Sequence, residues 1–523
     1  MFTIITFVKY GDSIMKNYKR EIMLLLGPLI FFILFILPPL PGVIEAASEV
    51  GSEISKAPQL AFAVLLWTAI WWVSEVVPLG LAGLIPPLIF SFLNIVSWKK
   101  SLSSFMDPVI WIFMGGFVLA KAFQIWGLDK RIAIKLSSLY KGNNPLVSAF
   151  FIAGLPPFLL TMTGSITAST SIVFPIVMAF IGALNLEKEK EYAEALMLLL
   201  GQAATAGAMF LLISTPPNLV AKKVIEEFVP GVTITFFDWL IIGTPHALIG
   251  LFIAWFVIFK VIKVEKVDLS KMREKLNDEA SKLGVMSKGE KYVFLIFLLV
   301  LFLWMLPGMF LILSLSFKTL VSLANIIQKI LPTSAPAVLA LLLLGLIHAE
   351  GRPLLRWKEL EEGIDWNVIF LFGGGIVLGT GLQNSGFSKW LINSMMFITG
   401  NTLDFVTIIF VSALLGFIIT YPASNTASSL ITAPIAASLA LSGGFNPIPA
   451  VLASALACSI SSALPSTTPP MAIVYGSKHI KLWNMFRVGM ISDTIRFIIL
   501  VVLTPYLTQM LCYLKGIPIK ISP

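Results

Sequence analysis

Long runs of Val, Ile, Leu, Phe and Ala alternate along this chain with short polar joints, and apolar runs approaching eighteen residues read as membrane-crossing helices. The runs fall at about Ile22–Leu40, Gln59–Val77, Leu81–Ile95, Pro108–Phe123, Pro145–Leu160, Ala168–Leu184, Tyr192–Ser214 and Trp239–Val261. After a hydrophilic stretch they resume at about Val293–Leu315, Ala335–Ile347, Val368–Gln383, Thr402–Ile419, Pro449–Leu464 and Phe486–Leu511. Four polar stretches interrupt this pattern where a span should continue. They are Thr161-Met-Thr-Gly-Ser-Ile-Thr167, Thr215-Pro-Pro-Asn218, Thr420–Pro434 around Ser424-Asn-Thr426, and Pro465-Ser-Thr-Thr-Pro-Pro470.

In a soluble protein Ser-Asn-Thr makes an ordinary turn or helix cap. Exposed polar backbone is not tolerated in lipid unless protein or a watery cavity surrounds it. The pattern therefore predicts two re-entrant helical hairpins, with tips at Ser165–Thr167 and Ser424–Thr426, and two helices broken at the Thr-Pro-Pro motifs. The expected fold is an all-α polytopic membrane protein with about 11 transmembrane helices.

Composition agrees with the pattern. Hydrophobic residues make up 57% of 523 and charged residues 12%, about half the roughly 25% usual in soluble domains. The net charge of +9 does not point to nucleic acid, because the basic residues sit in short loops beside spans, where they set orientation. Lys9, Lys16, Lys19 and Arg20 precede the first span, and Glu45, Glu49 and Glu53 follow it, which predicts a cytoplasmic N-terminal arm over residues 1–21. No small-residue cleavage site follows, so the first run reads as a retained span. Residues 263–291 form a basic segment expected to be a solvated cytoplasmic linker between two halves, 22–262 and 292–523. Cys458 and Cys512 lie in apolar surroundings and suggest neither a disulfide framework nor a metal site.

The halves repeat. Ile112-Phe-Met-Gly-Gly-Phe-Val-Leu-Ala120 is similar to Leu371-Phe-Gly-Gly-Gly-Ile-Val-Leu-Gly379, and Gly127-Leu-Asp-Lys130 to Gly386-Phe-Ser-Lys389, both at an offset of 259. Ser165-Ile-Thr-Ala168 pairs with Ser424-Asn-Thr-Ala427 at the same offset, and Thr215-Pro-Pro217 with Thr468-Pro-Pro470 at 253. About five crossings separate the two glycine-rich runs. An odd number predicts halves inserted upside down, the inverted-repeat plan of secondary transporters, with the site near the midplane.

Each of the four breaks precedes a new helix, whose free N–H groups and positive dipole end favour anions. Proline early in such a helix costs no hydrogen bond. Hydroxyl and amide groups add donors to a carboxylate or sulfate, and freed carbonyls with Ser, Thr and Asn oxygens suit Na⁺. No Arg or Lys lies within the breaks, so a co-bound cation would supply the positive charge. Any single motif of this kind is commonly a kink or packing contact; four in symmetric positions argue for a site.

From Trp67-Thr-Ala-Ile-Trp-Trp-Val-Ser-Glu-Val-Val-Pro78 to the last span the chain resembles the divalent-anion/sodium symporter family of dicarboxylate, citrate and sulfate carriers. The shared marks are the Ser-Asn-Thr hairpin tip and the Thr-Pro or Ser-Pro break. The resemblance implies a homodimer with a fixed scaffold and a moving transport domain, working as an elevator. It implies no cofactor beyond Na⁺ as coupling ion. Carried over by position, Thr420, Ala423, Asn425 and Thr467 would bind Na⁺ in the second half, with Ser424, Asn425, Thr426, Thr468 and Pro469 at the substrate. In the first half Thr161, Ser165 and Ser214 would take Na⁺, with Ser165, Thr167, Thr215 and Pro216 at the substrate.

This chain departs from the pattern at Ile166, where the family has Asn, and Ile offers neither an oxygen to Na⁺ nor an amide to a carboxylate. Met471 likewise stands where the first half has Asn218. Both departures predict an altered Na⁺ stoichiometry, H⁺ coupling, exchange or a less symmetric substrate. Glu75, Asp107, His246, His348 and Asp404 lie in or near spans, and each is expected to be solvated or structural. A channel, a membrane enzyme and an arsenite or Na⁺/H⁺-type permease are the competing readings. No hydrolase or kinase motif is present to favour the enzyme.

Overall fold

The computed structural model describes residues 20–184, 186–264, 267–399 and 404–521. The N-terminal arm expected over residues 1–21 lies almost wholly outside them. Helices carry most of the described chain, with one small antiparallel pairing of His348–Ala349 with Arg352–Pro353. Among the described residues seven helices are long and apolar enough to cross a membrane, or eight if Val321–Ile330 and Ala335–Leu346, bent by 54°, form one span. Shorter apolar helices, among them Ile166–Ile181, Phe405–Thr420 and Pro447–Ala457, accompany them.

Ten helices position the candidate site. The first hairpin is α1 (Leu155–Leu160) and α2 (Ile166–Ile181); α3 (Leu186–Gly207) and α4 (Pro216–Phe228) flank the first break, and α5 (Phe236–Val261) follows. The second hairpin is α6 (Phe405–Thr420) and α7 (Asn425–Ser442); α8 (Pro447–Ala457) and α9 (Pro469–Gly476) flank the second break, and α10 (Leu482–Leu514) follows.

Local chemistry sets these boundaries. A 3₁₀ turn at Thr161–Thr163 and Gly164 at φ 102° end the first arm. A side chain at Gly164 would be strained by that backbone and would also meet the Gly116 backbone at 3.2 Å. Ser165 is extended, and its hydroxyl accepts the Ala168 N–H at 3.1 Å, capping α2. At the breaks, Thr215 (φ −154°, ψ 150°) and Thr468 (φ −146°, ψ 149°) share one extended conformation. Each leads into a helix with Pro at its first position.

The packing is exchanged between halves. α2 lies on α9 and α7 on α4; α3 also reaches α9, and α8 reaches α4. Within each half the first hairpin arm packs on the long broken helix, α1 on α3 and α6 on α8. α5 and α10 run together behind the breaks. The glycine-rich helix Trp366–Asn384 approaches closely enough that a methyl at Gly375 would fall 2.3 Å from Leu430 of α7.

The basic linker is more than a solvated connector. Ser270–Lys282 is helical, packs on Leu128–Ser137, and buries Met272 and Leu276, four residues apart on one face. Arg131 on that second helix donates to Glu290 at 2.6 and 3.0 Å and to the carbonyls of Leu283 and Gly284. Glu290 also completes a capping box with Ser287 at the start of Lys288–Ser316.

Candidate functional site

The second hairpin tip and second break enclose a cluster of oxygens. Thr420, the last residue of α6, donates its hydroxyl to Asn425 Oδ1 at 2.8 Å and to the Cys458 carbonyl at 2.7 Å. Ser461 donates to the same Asn425 oxygen at 3.2 Å. Four neutral oxygens from α6, α7 and the break thus gather in one buried place. Among the described residues no three His, Cys, Asp or Glu side chains cluster as for a metal ion. The donors present are the hydroxyl, amide and carbonyl oxygens that suit a hard monovalent cation.

Of the residues expected to bind Na⁺ here, Thr420 and Asn425 meet directly, and Ala423 is buried in the turn between them. Thr467 lies in the same break, but its hydroxyl donates to the Leu464 carbonyl at 2.7 Å. Cys458 and Ser461 were not anticipated, because nothing in Cys458-Ser-Ile-Ser-Ser462 singles out which hydroxyl or carbonyl faces the tip.

The expected substrate groups stand beside this cluster along the chain. Ser424 is half-buried and makes no capping bond with its side chain. Thr426 is buried, its carbonyl accepting the Ser429 hydroxyl at 2.8 Å. The Thr468 hydroxyl is buried with no partner at the start of α9, and Pro469 is exposed. An unpartnered buried hydroxyl costs about 1–3 kcal/mol, and Thr468 shares this state with Ser137, Ser412, Ser459 and Ser492.

The first half keeps part of this geometry. Thr161 donates to the Gly207 carbonyl at 2.9 Å and to that of Phe158 at 2.7 Å, as Thr420 does to Cys458. Ile166, only 8% exposed, then occupies the place of Asn425, so no amide oxygen completes the cluster. The Ser214 hydroxyl accepts the Leu211 N–H at 3.1 Å within the break. Thr215 is buried, Pro216 half-buried and Thr167 exposed. Asn218 braces the break by donating to the carbonyls of Ala208 and Leu211 at 2.8 and 2.9 Å. Met471, its counterpart, packs at Gly201 instead.

Behind the breaks lie two charges that the sequence reading passed over, Asp493 and Arg496 on α10, both buried. An acid and a base three residues apart in an apolar helix were the available signal. The other polar residues are structural or solvated: Glu75 is exposed, His348 is exposed, Asp404 caps α6, and His246 is buried beside Thr504 at 3.2 Å. Asp107 caps Pro108–Trp126 and pairs with Lys223 at 2.8 Å. A cavity of about 940 Å³ lies between α4 and Lys288–Ser316, away from the tips. Its lysines are engaged, Lys222 with Glu226, Lys223 with Asp107 and Lys515 with Asp238.

The model of the sodium:sulfate symporter transmembrane region matches residues 20–514. The chain belongs to this family. Among curated symporter relatives, the sodium-dependent dicarboxylate transporter SdcS of Staphylococcus saprophyticus is 28% identical over 502 residues, covering 94% of this chain and 92% of the relative. SdcS of Staphylococcus aureus is 28% identical over 524 residues, with 95% and 94% covered. An uncharacterized transporter of Haemophilus influenzae is 29% identical over 490 residues, with 93% and 96% covered. Two solved transporters share the fold alone. Neisseria gonorrhoeae MtrF, described among antimetabolite efflux pumps, aligns at TM-score 0.53 and 13% identity over 92% of this chain and 99% of its own. The Alcanivorax borkumensis YdaH transporter aligns at 0.50 and 11%, over 79% and 88%. The chain is thus an integral, multi-pass membrane protein of a transport family.

Proposed function

We propose that this protein is a secondary active carrier of small di- or tricarboxylate or sulfate-like anions, driven by Na⁺. The observation that carries the reading is the oxygen cluster of Thr420, Asn425, Ser461 and Cys458, followed along the break by the unpartnered Thr468 hydroxyl at a helix N-terminus. In this reading Na⁺ sits among the oxygens, and the anion takes Ser424, Asn425, Thr426, Thr468 and Pro469 from one half and Ser165, Thr167, Thr215 and Pro216 from the other. The cation offsets the anion's charge, which makes each favour the other's binding and couples the two gradients.

The exchanged packing of α2 on α9 and α7 on α4 supports an inverted repeat of two halves, 22–262 and 292–523. On this plan the hairpins and breaks travel together as a transport domain against a scaffold, in a homodimer with a cytoplasmic N-terminus. Ile166 supports a second reading of the energetics, in which the first half holds no Na⁺ and the carrier runs with fewer Na⁺, with H⁺, or as an exchanger.

Uptake of labelled succinate, citrate and sulfate into proteoliposomes, with an inward Na⁺, K⁺ or H⁺ gradient, tests both readings. Na⁺-driven accumulation of one of these anions, abolished by Asn425→Ala, is expected. Transport that survives Asn425→Ala overturns the site.

A further inference from the structure

Asp493 lies fully buried in α10, and four donors converge on its two oxygens. The Ser462 N–H reaches one oxygen at 2.6 Å and the Ser462 hydroxyl the other at 2.9 Å. The Tyr421 hydroxyl donates at 2.9 Å, and Arg496 Nη1 lies at 3.5 Å. Tyr421 follows Thr420, and Ser462 follows Ser461. Those two preceding residues are the ones whose hydroxyls meet on Asn425. One carboxylate and one amide oxygen therefore engage the same two dipeptides, Thr420-Tyr421 and Ser461-Ser462.

Resting on the reading of the oxygen cluster as the Na⁺ site, we propose that Asp493 is the positioning residue that sets the affinity of that site. It joins the hairpin tip to the break, so that Thr420, Asn425 and Ser461 stay at cation-binding spacing. Its own oxygens are taken by donors, which makes it a brace and not a ligand. Arg496 balances the formal charge, so the effect is geometric. A simple packing ion pair would put its shortest contacts between the two charges. Here the shortest contacts run from Asp493 to the two loops, and Arg496 Nη2 has no partner.

The first half shows what replaces the brace. Met209 precedes Pro216 by seven residues, as Ser462 precedes Pro469. Its carbonyl is held by Trp239 Nε1 of α5 at 3.0 Å. Trp239 and Asp493 thus each hold the stretch ahead of the prolines, one through a neutral ring and one through a carboxylate. The half that lacks Asn at its tip also lacks the carboxylate behind its break. Both polar anchors belong to the second half, where the cation is expected.

The experiment is a Na⁺ titration of the melting temperature of the purified full-length protein, choline replacing Na⁺ at constant ionic strength, alongside Na⁺-dependent uptake. Na⁺ should raise the wild-type Tm. Asp493→Asn should move the Na⁺ midpoint up by about tenfold, equivalent to about 1.4 kcal/mol, with Asp493→Glu moving it less. Tyr421→Phe removes one of the four donors to Asp493 and should move it the same way by about three- to tenfold. The anion KM at saturating Na⁺ should stay unchanged in Tyr421→Phe. If Asp493→Asn and Tyr421→Phe lower the Tm but leave the Na⁺ midpoint in place, the residue is merely structural and the inference fails. A wild type whose Tm ignores Na⁺ also overturns it. A wild type stabilised by Na⁺ that accumulates none of the anions instead overturns the proposed function and leaves the Na⁺ midpoints to decide the role of Asp493.

Discussion

Arg131 grips Glu290 through two parallel hydrogen bonds of 2.6 and 3.0 Å, fastening a first-half helix to the helix that opens the second half. Both side chains are more than nine-tenths buried. Removing one partner strands the other charge, so Glu290→Ala should cost about 3–5 kcal/mol. Replacing both, Arg131→Met with Glu290→Leu, should recover much of that loss. Thermal unfolding in detergent checks the ordering, and a double variant less stable than Glu290→Ala would contradict it.

Ile166→Asn restores an amide where the first-half oxygen cluster lacks one. The variant should show a steeper Na⁺ dependence of uptake than wild type, measured as a higher Hill coefficient. An identical Na⁺ curve in the two proteins would dismiss the idea that Ile166 alters coupling.

Thr468→Val removes a hydroxyl that bonds to nothing in the protein, in a side chain of the same shape. Stability should hold or rise slightly. The anion KM should rise by about ten- to a hundredfold, the loss of one hydrogen bond to a charged acceptor. Initial-rate uptake at saturating Na⁺ reads this out.

Gly164→Ala forces a side chain onto a backbone at φ 102° and against Gly116. A penalty of about 1–3 kcal/mol is expected, and it falls at the first hairpin tip. Tm and uptake should drop together, whereas a substitution at Gly476, with open space around it, should change neither.

Much of this organisation is legible in the chain because lipid imposes it. Apolar runs and Pro- or Gly-marked breaks follow from the need to satisfy every backbone group, so both hairpins and both Thr-Pro-Pro breaks appear where the pattern predicts them. The tertiary partners are less legible. Ser461 differs from Ser459 and Ser462 only in which way it faces, and that depends on α6 and α7 arriving beside it. The fold of Ser270–Lys282 onto Leu128–Ser137 was hidden by a high charge that masks a two-residue apolar face. Asp493 goes unnoticed in the sequence, and its role depends on Tyr421 and Ser462 meeting it from distant segments.

The exchanged packing has a consequence for biogenesis. α2 cannot meet its partner α9 until about three hundred further residues have been synthesised, on the order of tens of seconds at about 5–20 residues per second. The first hairpin must therefore wait in the membrane half-covered, with its polar tip unsupported, while the second half is made. Its residence there depends on whatever shelters nascent membrane segments. A chain cut after the first half should be degraded rather than accumulate as a stable fragment, and supplying the missing half in trans should rescue it.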